Sequence, residues 1–201
     1  MLENFNFKTL FYFIVIALII FISLKIYSES DVFNLKCITS SKDGLKYCIR
    51  DREKLKPAVN LLAETVEKCK KLVALMYKKY PNDKRIIKLH KDFDPRKISE
   101  TLPNSDLTAF TENKNKMAFC LNKTKMDNDD LIDEHTLMFV AIHELSHIMT
   151  NSIGHHQEFW VNFKFLLEGA KELGIHDPVD YKTHPQEYCG MEITNSPYYN
   201  I

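Results

Sequence analysis

The chain has 201 residues, with 27 Lys and Arg against 27 Asp and Glu, so its formal net charge is zero. This length allows one domain with a tail or an anchor, and zero net charge gives no electrostatic basis for nucleic-acid binding. The balance also excludes an acidic disordered tail as the main feature. A hydrophobic content of 45% with five glycines suits a folded, helix-rich domain with its own core. The five cysteines, Cys37, Cys48, Cys69, Cys120 and Cys189, are odd in number and form no C-x-x-C pair. A cysteine-built zinc site is therefore not expected. Cys37 and Cys48 bracket a polar stretch around Gly44 and are spaced to close a small disulfide loop; free thiols in a reducing compartment fit the same residues.

At the N-terminus, Thr9–Leu24 reads TLFYFIVIALIIFISL, uncharged between Lys8 and Lys25. A membrane helix needs roughly 17–25 apolar residues. Ile26 and Tyr27 extend the run, and Lys25 can snorkel. Residues 1–27 are therefore predicted to be an anchor that makes the chain a single-pass membrane protein. A cleaved signal peptide, with small residues at Ser28 and Ser30, is the rival. The charges flanking the run do not fix its orientation. Residues 28–50 read as a linker or loop region, and 51–201 as the folded domain.

From Asp51 the pattern is helical. Leu55, Val59, Leu62, Val66, Cys69, Val73 and Met76 recur at spacings of three and four, giving one apolar helix face. Tyr80-Pro81-Asn82-Asp83 ends it. A short helix over 84–91 and a Pro95-containing loop follow. Leu107–Thr111 and Met117–Leu121 flank the polar stretch Glu112–Lys116 and predict a β-hairpin. Asn122-Lys123-Thr124 is a glycosylation sequon, a tripeptide frequent by chance. Asp133 can cap a helix over 134–151. A second helix begins near His156 or Gln157 and ends at Gly174, with Phe159, Trp160, Phe163, Leu166 and Leu167 on its buried face. Ile175–Ile201 reads as mostly irregular.

The helix over 134–151 contains His143-Glu144-Leu145-Ser146-His147. Residues four apart share a helix face, so both imidazoles can hold one ion. Glu144 can take a proton from a water on that ion. The flanks Leu137–Ile142 and Ile148-Met149 are apolar, and burying two histidines and a glutamate without partners would be costly. Zinc suits imidazole ligands and hydrolysis. A catalytic site needs a third protein ligand. His155 follows Gly154, where the backbone can reverse, and is the expected ligand; His156 is the alternative, and Glu158 would serve if the second helix began earlier. His90, His135, His176 and His184 read as surface or loop residues. Tyr181 and Tyr188 are weighed as oxyanion donors against plain structural burial, and Met191 as a residue beneath the metal.

Ile142–His147 followed by Gly154-His155-His156-Gln157-Glu158-Phe159-Trp160 resembles the WLM and SprT-like metallopeptidases, which pair H-E-L-x-H with a later G-H-x-x-x-F element. A broader likeness, to uncharacterised single-span WLM-like proteins of large DNA viruses, rests on Arg50–Glu53, Ile98–Leu102, Thr111–Lys114, Ala118–Asn122 and Tyr188–Met191. The resemblance implies an α+β, zincin-like domain with a long first helix, a small sheet, the active helix and a following helix. It implies zinc on His143, His147 and His155, Glu144 as general base, and Ala118–Asn122 as an edge strand that takes a peptide substrate. The basic DNA-binding segments of the family members that cleave DNA-crosslinked proteins have no counterpart here. The expected function is that of a membrane-anchored zinc metallopeptidase. The alternatives are a membrane or virion protein with a structural zinc, and a zincin-like peptide-binding module.

Overall fold

The apolar face from Leu55 to Met76 organises the domain. In the computed structural model, which describes residues 7–29, 35–102, 105–125 and 130–200, every member of that face except Leu55 is buried. The elements are, in order, helix α1 (Phe7–Glu29), strands β1 (Lys36–Thr39) and β2 (Lys46–Ile49), helices α2 (Leu55–Lys79) and α3 (Lys84–Asp92), and strands β3 (Ile98–Glu100), β4 (Ala109–Glu112) and β5 (Lys116–Phe119). Helices α4 (Glu134–Met149) and α5 (Gln157–Glu172), strands β6 (Gln186–Tyr188) and β7 (Met191–Ile193) and helix α6 (Pro197–Asn200) complete the chain. The domain is thus mixed α+β, with small sheets among the helices.

Helix α1 exposes its large apolar side chains, and Phe7–Ser28 is long and apolar enough to cross a membrane. A signal sequence meets the same criterion.

The linker expected over 28–50 gives way from residue 36 onward to the β1–β2 hairpin. Cys37 sits opposite Cys48, and the two form a disulfide. Tyr47 and Ile49 point inward and belong to the core. Strands of four residues are too short for their alternation to stand out in the sequence.

The predicted hairpin is present as β4–β5, with Asn113 and Lys114 at φ 50° and 59° in its turn. Strand β3, unforeseen beside Pro95, pairs in parallel with β5, so the order is β3-β5-β4. This corrects the edge assignment: β5 is central, and β4 is an edge strand that packs against α4.

Behind the sheet lies a buried charged cluster. Arg52 contacts both the Glu100 carboxylate and the Asn122 side-chain carbonyl. The Arg50 amide donates to Glu100 at 2.7 Å, and its guanidinium reaches the carbonyls of Thr101, Leu102 and Lys125. Asn122 is fully buried and held by Arg52, so the sequon is not accessible in the folded domain. The cluster joins β2, β3 and the segment after β5. The C-terminal region is also more regular than expected. Cys189 bonds to Cys120 and ties the β6–β7 turn to the end of β5, while Cys69 remains a buried thiol.

Removing one partner of a buried ion pair strands the other charge, at about 3–5 kcal/mol. Glu100→Gln leaves two guanidinium groups without their carboxylate, and a loss of that size is expected in denaturant unfolding. A loss below about 1 kcal/mol would contradict the view of Glu100 as the anchor of this cluster.

Candidate metal centre

Helix α4 starts where Asp133 accepts from the Thr136 amide at 2.8 Å, the cap its sequence predicts. It is buried on nearly every side, so His143, Glu144 and His147 are carried into the domain on a rigid element. Gly154, at φ 86°, reverses the chain after α4 and returns His155 to the same place. The ligand atoms of His143, His147 and His155 lie within 4.8 Å of one another. His143 Nε2 is 3.2 Å from His147 Nε2 and 3.0 Å from His155 Nε2. Three nitrogens about 2.05 Å from a tetrahedral zinc would stand about 3.3 Å apart. The donor set suits one such ion, and the two separations from His143 Nε2 are close to that spacing.

The alternative ligands lie elsewhere. His156 is the N-cap residue of α5 and falls outside the cluster. Glu158 accepts from the Asn151 and Ser152 amides at 3.2 Å and so closes the loop that carries His155. Phe159, expected as core, is fully buried and backs all three imidazoles, with ring centroids 4.8, 4.3 and 4.6 Å from His143, His147 and His155.

Burial sets the protonation states. It pulls His143 down to about 3 and His147 to about 4, and it lowers His155 as well. All three rings are then neutral, with lone pairs available, at neutral pH. Glu144, only 3% exposed, is pushed up to about 7 by burial, partly opposed by the Thr111 hydroxyl, which donates to its Oε2 at 2.7 Å.

Two residues that sequence reasoning did not single out hold this arrangement. Thr111, on edge strand β4, positions the Glu144 carboxylate. Lys114, in the hairpin turn, donates to the carbonyls of His147, Thr150 and Ser152 at 2.9, 3.0 and 3.0 Å. It is a cation at the C-terminus of α4, where the helix dipole favours one. Lys88 adds another, donating to the Ile148 carbonyl at 2.8 Å. Both Thr111 and Lys114 lie in the Thr111–Lys114 stretch that carries the family likeness, but only the fold reveals their partners.

The remaining expectations divide. The Tyr188 hydroxyl accepts from the Cys120 amide and donates to the Thr108 carbonyl, a structural role. Tyr181 packs on Phe139, and neither tyrosine lines the cleft at the histidines. Met191 contacts Thr108 rather than the histidines. His90, His135 and His184 are exposed as expected, whereas His176 is buried against His135 and Phe139. Ring contacts hold it there, and neither of its ring nitrogens has a hydrogen-bond partner among the described residues.

The chain is 26% identical over 181 residues to an uncharacterised protein of Acanthamoeba polyphaga mimivirus, spanning 89% of this chain and 90% of that one. It is 35% identical over 81 residues to an uncharacterised protein of Invertebrate iridescent virus 6 and 33% over 86 residues to one of Invertebrate iridescent virus 3, spanning 44% and 52% of those proteins. These relatives belong to large DNA viruses, in keeping with the viral part of the expected likeness. No protein-family model matches the chain. No solved structure matches it either.

A carboxyl group whose pKa is higher folded than unfolded binds more protons folded, so it destabilises the fold as pH rises through the unfolded value. For Glu144 this penalty starts above about pH 4.5 and is complete above about pH 7. A shift of this size corresponds to about 3 kcal/mol. Glu144→Gln should stabilise the metal-free protein by about that much at pH 8 and by nothing below pH 4.5. Thermal unfolding of the chelator-treated protein across pH measures it.

Proposed function

We propose that this chain is a zinc-dependent peptidase with a zincin-like catalytic domain, held by α1 at a virion or host membrane. The observation that carries the reading is the convergence of three neutral imidazoles in one cleft with a buried glutamate whose pKa is pushed up to about 7. The likeness of the two histidine elements to WLM and SprT-like metallopeptidases supports it.

A zinc ion on His143, His147 and His155 would supply Lewis acidity towards a water and a peptide carbonyl. Glu144 accepts the proton of the attacking water and passes it to the leaving amine. A carboxyl group near pKa 7 is suited to both transfers. Thr111 engages Oε2 and leaves the other oxygen for the water. The substrate lies along β4. The Cys120 amide bonds to the Thr108 carbonyl, so Thr108 and Phe110 face β5, and the main-chain groups of Ala109 and Thr111 face away from it. An extended peptide can pair there as a further strand.

The alternatives have less support. A purely structural zinc would need a fourth protein ligand. Cys189 is bonded to Cys120, and His156 lies outside the cluster. A binding module would have no use for Glu144, whose burial costs stability.

Glu144→Gln should keep one zinc per chain and lose hydrolysis by about 10²–10⁴-fold. His155→Ala should lose most of its zinc. Metal content and peptide turnover of the purified proteins measure both, and zinc loss in Glu144→Gln would refute the role given to Glu144.

A further inference from the structure

Outside α1, the two most exposed large apolar side chains among the described residues are Ile153, at 86%, and Leu107, at 57%. Single exposed apolar residues are ordinary on protein surfaces. These two share one cleft. Ile153 stands on the loop between α4 and His155, and Leu107 on the segment entering β4; both line the cavity of about 630 Å³ that contains His143, Glu144 and His147. Phe110 lines it as well, and Leu107 and Phe110 continue into an adjoining cavity of about 410 Å³. An apolar track therefore runs past the reacting groups on the strand side.

Charges along the track are few and engaged. The Lys114 ammonium is held by three main-chain carbonyls, so it is not available to a peptide carboxylate. Glu112, in the adjoining cavity, faces Lys116 at 3.6 Å. Glu144 is committed to Thr111 and the reaction. Among the described residues of the cleft, none is left to recognise a charged chain terminus. The groups that remain for recognition are the main chain of β4, the Asn113 side-chain amide at the hairpin turn, and apolar side chains.

We infer that Leu107 and Ile153 are specificity-determining residues, which seat a bulky apolar side chain of an unbroken polypeptide beside the scissile bond. The inference rests on the peptidase reading. A substrate strand on β4 projects alternate side chains to each face, and one carrying Leu or Phe covers Leu107 and Ile153 when bound. A polar or charged side chain would be desolvated there with no partner. The substrate class is a protein segment rich in apolar residues, not a short peptide read by its ends.

The test uses the full-length, zinc-loaded chain in detergent micelles and internally quenched peptides with acetylated and amidated ends. One position beside the cleaved bond is varied among Leu, Phe, Ala, Asp and Lys. Expected is a kcat/KM for Leu or Phe above that for Asp by about tenfold or more. Leu107→Ser and Ile153→Ser should each bring the Leu-over-Ala ratio towards one with zinc content unchanged; both positions are exposed enough for the fold to tolerate serine. Equal turnover of Leu and Asp peptides, an unchanged ratio in both variants, or a requirement for a free terminus overturns the inference and leaves the peptidase standing. Failure of the zinc-loaded wild type to cleave any peptide overturns both.

Discussion

Three imidazole nitrogens brought together against aromatic rings cannot satisfy one another. His143 Nε2 lies 3.2 Å from one partner and 3.0 Å from the other, and it can serve only one of them, as donor or as acceptor. Burial keeps the rings neutral, so each carries a single N–H proton. A shared cation would resolve the conflict, and much of the surrounding structure holds the three rings together. The α4 backbone sets the spacing of His143 and His147, Gly154 returns His155, and Phe159 fills the space behind all three rings.

The β4–β5 hairpin is the second support of the site. Its turn places Lys114 on the carbonyl end of α4, and its edge strand places Thr111 on Glu144. The strand proposed to receive substrate is therefore the one that orients the proposed base. On the far side of β5, the Arg50–Arg52–Glu100 cluster fixes β3, so β5 is flanked and β4 is left as the edge. The Cys120–Cys189 disulfide pins the end of β5 to the C-terminal hairpin. Helix, edge strand and loop hold their relative positions through covalent bonds and buried charge as well as apolar packing.

The parts of this arrangement that were legible in the sequence share a physical basis. The α2 face, the Asp133 cap and the i, i+4 histidines follow from helix geometry, which acts over a few residues. Gly154 and its following histidine are likewise local. What escaped depends on contacts distant in the chain. The parallel pairing of β3 with β5 moved the edge from Ala118–Asn122 to β4. Strands of three or four residues carry too little alternation to announce themselves, so β1–β2 read as linker and β6–β7 as irregular. Lys114 resembles any polar turn residue until three carbonyls from α4 and the loop after it surround it. His176 looks like a loop histidine until Phe139 and His135 close over it.

The most direct test of the convergence of His143, His147 and His155 on one ion is zinc X-ray absorption spectroscopy of the metal-loaded protein. Three imidazole ligands and one oxygen at about 2.0–2.1 Å are predicted, with the oxygen position open to exchange. A sulfur at about 2.3 Å, four imidazoles, or failure of the folded protein to take up zinc would contradict the account.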